Sequence, residues 1–112
     1  MVTKRLVQVA AVTVLLAGCG GGGGGYDDAA SVANAAGCTQ VKKTDREAYV
    51  ADAVSCEFNG HSATVSWFRS QEAFKNWLRV ATDSGTTIAK GSNWAIECKS
   101  KADCDAMKKN AS

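Results

Sequence analysis

The dipeptide Asn59-Gly60 constrains the fold of this chain more than any other feature. Both residue types tolerate the positive φ angles of a type I′ turn, so the pair marks a two-residue β-hairpin. Such a turn sets Phe58 opposite His61, Cys56 opposite Ala63 and Val54 opposite Val65. Side chains alternate along a strand, so Val54, Cys56 and Phe58 share one face with Ala63, Val65 and Trp67. The other face carries Ser55, Glu57, Ser62, Thr64 and Ser66, and Phe68 is the first apolar residue to break the pattern. A slip of one residue would mix the two faces, so the register is well determined.

The clearest helix follows. Ser70 suits an N-cap, and Phe74, Trp77, Leu78 and Ala81 recur at the spacing of one helical face over residues 71–82. Its wet side holds Glu72, Lys75, Asn76 and Arg79, and Asp83-Ser84-Gly85 ends it. The stripe is expected to lie on the apolar face of the hairpin, with Trp77 near Trp67. Residues 38–43 read as a first strand. Thr44 and Glu47 fit a capping box, which predicts a short helix over 45–51. Residues 86–90 and 93–98 read as two further strands turning at Gly91, and 102–109 as a final short helix with Lys108 and Lys109 at its C-terminal end. An Ala-rich stretch, 26–36, predicts a helix that starts after Asp27 or Asp28 and stops at Gly37. The sum is an α+β fold: a small sandwich with four to five short antiparallel strands and one main helix packed on them. A ferredoxin-like arrangement is one way to wire it.

The first residues address location. Lys4 and Arg5 precede an apolar run of 12 residues, 6–17, too short for the roughly 20 that span a bilayer. A charged start, a short apolar core and small residues before a cut site form a secretory signal peptide. The cut site here is Leu16-Ala17-Gly18-Cys19, followed by six glycines, 20–25. It resembles the lipobox of bacterial lipoproteins at all four positions. The resemblance implies a diacylglyceryl group on the Cys19 sulfur and cleavage by signal peptidase II between Gly18 and Cys19. Two or more acyl chains give stable anchoring. The expected organisation is a signal peptide, 1–18; a lipidated cysteine with a Gly/Ala-rich tether, 19–36; and an extracytoplasmic domain, 37–112, held to the cell membrane by lipid. Ten residues of Gly-rich coil reach roughly 16–19 Å.

Cleavage leaves 94 residues with 11 basic and 11 acidic side chains. That balance offers nothing to nucleic acid. With Cys19 lipidated, Cys38, Cys56, Cys98 and Cys104 remain, and an even set in a small exported domain reads as two disulfides. Four cysteines allow three pairings. Cys38–Cys56 with Cys98–Cys104 is favoured because each closes a local loop, the longer worth about 3 kcal/mol and the shorter about 2 on a chain-entropy account. The spacings contain no Cys-x-x-Cys pair, which argues against a zinc site.

Gly37-Cys38, Cys56, Asn59-Gly60, Phe68, Trp77-Leu78 and Gly91-Ser92-Asn93-Trp94 together resemble small cell-envelope lipoproteins of high-GC Gram-positive bacteria. That resemblance implies no activity. Nor does the chain carry a catalytic motif: His61 is the only histidine, no nucleophile elbow surrounds Ser62 or Ser66, and the glycine run lacks the Lys-Ser/Thr of a phosphate loop. No cofactor is expected. Trp67 and Trp77 fall on the expected core, which leaves Trp94 and Phe68 as candidate binding residues, since exposed aromatics anchor interfaces. The expected function is a non-enzymatic binding or accessory lipoprotein of the envelope, with an envelope or phage protein as partner. A phage-encoded lipoprotein blocking superinfection and a small secreted-type enzyme are the alternatives. Metabolic labelling with a fatty-acid probe is expected to mark the wild-type chain and to leave Cys19→Ser unmarked; equal labelling of both would remove the anchor.

Overall fold

A computed structural model describes residues 25–112. The signal peptide, the cleavage pair Gly18 and Cys19, and the lipidation of Cys19 lie outside the described residues. The chain folds as α1 (Ala29–Ala36), β1 (Thr39–Lys43), β2 (Asp52–Phe58), β3 (His61–Trp67), α2 (Gln71–Asp83), β4 (Ile88–Lys90), β5 (Trp94–Glu97) and α3 (Lys101–Ala111). One antiparallel five-stranded sheet has the spatial order β1-β2-β3-β5-β4. The fold is α+β, with two disulfides, Cys38–Cys56 and Cys98–Cys104.

The hairpin has the register its turn dictates: Val54 pairs with Val65, Cys56 with Ala63 and Phe58 with His61. Asn59 and Gly60 both take positive φ, 52° and 76°. β1 runs along the outer edge of β2 and is bulged. Between the pairs Thr39–Glu57 and Lys42–Ser55, two residues of β1 face only Cys56, and Gln40 sits at φ 54°. A bulge on an edge strand breaks the row of free backbone groups that would recruit another strand.

Helices cover both faces of the sheet. Val54, Cys56, Ala63, Val65, Trp94 and Ile96 pack under α1 and α3, which contribute Val32, Ala33, Ala36, Cys104, Met107 and Ala111. The opposite face receives α2, through Phe74, Trp77 and Ala81, against Ala53 and Ala95 and with Val50 and Phe68. The expectation that α2 docks on the Val54–Val65 face beside Trp67 is therefore corrected. That face is already filled. Cys38–Cys56 ties the α1–β1 junction to β2, and Cys98–Cys104 ties α3 to the end of β5. α2 takes the face of alternating small residues, where Ala53, Ser66 and Ala95 are buried and leave room for large rings above them.

Three further expectations change. Residues 26–36, assigned to the tether, belong to the fold. Asp28 caps α1 by accepting the Ser31 N–H at 2.8 Å, Gly37 ends it at φ 88°, and Ala29, Val32, Ala33 and Ala36 are fully buried. The chain is gripped from Tyr26 onward: its N–H donates to Asn93 Oδ1, its carbonyl accepts from Asn93 Nδ2 and Trp67 Nε1, and its hydroxyl donates to the Ala111 carbonyl. Second, residues 45–51 form no helix. Glu47 does not cap; its carboxylate accepts from Trp77 Nε1, and Tyr49 sits at φ 76°, outside any helix. Third, without that helix β1 and β2 are joined directly, so the wiring is a three-stranded meander followed by a crossover and not ferredoxin-like.

Trp94 is the centre of the Val54–Val65 face, at 0% exposure, edge-on to Tyr26 with ring centroids 6.3 Å apart. A Cβ on Gly91 would lie 2.1 Å from Trp94 Cε2, a distance no pair of carbons tolerates, so the turn before β5 requires glycine to let the indole close over it. Gly91→Ala is expected to destabilise by about 1–3 kcal/mol through overpacking. Gly85→Ala, where a Cβ meets nothing within 4 Å, carries only the strain of a positive φ. Thermal melts compare the two; Gly91→Ala melting as high as Gly85→Ala would refute the packing account.

Candidate functional site

Both nominated binding residues are core. Trp94 is 0% and Phe68 1% exposed. Phe68, the residue after Trp67, turns to the opposite, α2 face and stacks on Phe74 at 4.8 Å and 24°, with Trp77 tilted against it at 5.4 Å. In each case the ring is spent on packing a domain with few other large side chains.

The exposed apolar surface lies elsewhere, in the connection between β1 and β2. Its ends are fastened to the sheet: the Thr44 N–H donates to the Ala53 carbonyl and the Ala51 N–H to the Trp67 carbonyl. Between them the Val50 N–H donates to the Glu47 carbonyl, closing a turn, and the Val50 side chain is buried in the α2 layer. Burying Val50 throws its neighbour outward. Tyr49 stands at φ 76° with 52% of its surface exposed. A bulky residue in the left-handed region is an outlier that costs about 1–3 kcal/mol, and such strain clusters at binding and switching sites. Across from it on α2, Val80 is 60% exposed. Tyr49 and Val80 are the exposed large apolar side chains among the described residues.

Glu47, Ala48, Tyr49, Trp77 and Val80 line one groove of about 230 Å³. Trp77 forms its buried floor, and the hydrogen bond from Trp77 Nε1 to Glu47 Oε1, 3.0 Å, holds a carboxylate at the rim. Glu97, on the same face of the sheet, has its pKa raised, first by burial and then by the negative charge of Glu47. The groove is thus an apolar slot with acidic character.

Two other clusters are less open to ligands. His61 Nδ1 lies 2.7 Å from Asp103 Oδ2; Asp103 is buried in the first turn of α3 and also faces Asn59 Nδ2 at 3.5 Å. The pair fastens the hairpin turn to α3, with its ring half exposed, and among the described residues no hydroxyl or thiol is hydrogen-bonded to the other ring nitrogen. Asp52 bonds the Ala29 N–H at 3.0 Å and the Lys43 ammonium. Burial pushes its pKa up, but the Lys43 bond, the backbone N–H groups of Ala29 and Ala53 and the charge of Lys43 outweigh that and leave it lowered. This carboxylate locks α1 to the sheet.

Comparison with known protein families, with curated proteins and with solved structures finds no match.

Glu97 yields a pH prediction. A carboxyl with a raised pKa in the folded state costs stability when ionised. The cost is absent below the unfolded value near 4.3 and complete above the folded pKa. Glu97→Gln is therefore expected to melt above wild type at pH 7, with the gap closing as pH falls through the raised pKa. Melting curves from pH 7 to pH 4 decide this; a gap that is absent at pH 7, or that widens in acid, contradicts it.

Proposed function

We propose that this chain is a membrane-anchored extracytoplasmic lipoprotein that works as a non-enzymatic binding module of the cell envelope, with the Tyr49–Val80 groove as its binding surface. The observation that carries the binding reading is Tyr49: a half-exposed tyrosine in a strained backbone conformation beside an apolar slot. A protein with no use for that ring would be more stable with glycine there, because glycine adopts a positive φ without cost. The lipobox match at Leu16-Ala17-Gly18-Cys19 supports the location, and the pair of disulfides accords with export to an oxidising compartment. The grip on Tyr26 supports a short leash: about six residues separate it from Cys19. Within reach of so few residues, the domain works close to the membrane surface, on partners that are themselves in or at the envelope.

A photo-cross-linking side chain placed at Val80 in cells tests this. Adducts with an envelope component are expected at position 80, absent when Tyr49→Gly is combined with it, and absent from the same probe at Lys75 on the wet side of α2. Equal adducts from positions 80 and 75, or adducts indifferent to Tyr49→Gly, would refute the groove as the binding surface.

A further inference from the structure

The groove has a chemistry specific enough to name what fits it. Its volume, about 230 Å³, lies below the roughly 300–1,000 Å³ of sites for drug-sized molecules, so it holds one side chain. Its walls, Ala48, Val80 and the ring of Tyr49, suit an aliphatic stem. Its polar group is acceptor-only: the Glu47 carboxylate, with one oxygen taking the Trp77 indole N–H and the other free to accept elsewhere. The negative charge is reinforced. Asp83 stands one turn beyond Val80 on the same helix. Among the described residues, the basic groups closest in sequence form no ion pair with Glu47. Arg46 donates to the Ala51 carbonyl at 3.2 Å, and Arg79 donates to Asn76 Oδ1 at 3.1 Å.

An apolar stem ending in a cation is the side chain of lysine or arginine. Both bury their methylenes along apolar surface and keep a charged head at the rim. The exposed face of an aromatic ring adds attraction to that head. Resting on the reading of the groove as a binding surface, we infer that it takes a lysine or arginine side chain from an extended segment of a partner protein. A segment is required because one side chain alone makes too few contacts to bind measurably, whereas apolar neighbours on either side of the cation can rest on the outer surfaces of Tyr49 and Val80. The backbone at Tyr49 already turns its side chain outward before the partner arrives, which lowers the ordering cost of binding.

Nitrogen-15 NMR titration of the full chain in non-ionic detergent micelles tests the inference. The probes are two blocked pentapeptides, Gly-Leu-Lys-Leu-Gly and Gly-Leu-Gln-Leu-Gly. The lysine peptide is expected to shift the Trp77 indole N–H and the amides of Glu47, Tyr49 and Val80, with a dissociation constant of roughly millimolar order. The glutamine peptide is expected to bind at least about tenfold more weakly, a difference of 1.4 kcal/mol. Glu47→Gln keeps an acceptor for Trp77 Nε1 and removes only the charge. It is expected to lose the preference for lysine while its indole signal stays in place. Tyr49→Gly, which the backbone accepts, is expected to weaken the lysine peptide by a similar factor. Equal binding of both peptides in this groove overturns the cation inference and leaves a binding groove. Silence of these signals toward both peptides overturns the inference and counts against the groove itself. Shifts that follow protein concentration without peptide mean that a second copy fills the groove, which also overturns it.

Discussion

The turn at Asn59–Gly60 is the constraint on which the rest depends. Two positive φ angles lock Val54 against Val65, and from that pair outward the sheet has one face of large apolar residues and one of small or polar ones. Each face then selects its cover. The first, with Val54, Val65, Trp94 and Ile96 standing proud, accepts α1, whose contact residues are short, three alanines and a valine, with α3 adding Cys104, Met107 and Ala111 beside it. The second, with Ala53, Ser66 and Ala95 lying flat, accepts the bulky stripe of α2. Large on small and small on large is how two packing layers reach interior density around one thin sheet.

That complementarity explains what could be read from the chain and what could not. The hairpin, α2, the last two strands and both disulfide partners follow from local rules: a turn dipeptide, a 3.6-residue period, alternation and loop closure. The choice of face for α2 does not, because a stripe of Phe74, Trp77 and Ala81 records only that it must be buried. The signal that pointed to the correct face was Phe68, the residue that broke the polar pattern. It belongs to the α2 layer and carries the chain into it. The Ala-rich α1 was legible as a helix but not as core, since four small side chains promise little burial until a sheet with protruding residues sits opposite them. Residues 45–51 failed for a different reason. Thr44 and Glu47 satisfy the capping pattern, yet Glu47 is turned to the indole N–H of Trp77, 30 residues away, and Tyr49 at φ 76° lies outside any helix.

The groove was invisible for a related reason. Its members come from the 45–51 connection and from two turns of α2, and Tyr49 reads equally well as a helix or strand residue. Only its backbone angle, enforced by the burial of Val50 beside it, turns it outward. Trp94 and Phe68 looked more eligible by residue type alone, and their burial shows how much a small domain spends of its aromatic content on holding itself together.

The two layers are fastened unequally. Both covalent links lie at the ends of elements on the α1–α3 side, at the α1–β1 junction and between β5 and α3, and none touches α2. Opening the α2 layer breaks side-chain packing and the Trp77–Glu47 and Gln71–Ser92 hydrogen bonds, and nothing covalent. Local opening follows the weakest-held unit. Amide exchange in α2 and in the 45–51 connection should therefore run ahead of that in β2, β3 and α3, through excursions that leave the stapled half intact. The face that carries the groove is the face that can breathe, so a partner seated there would register first as a slowing of exchange along α2.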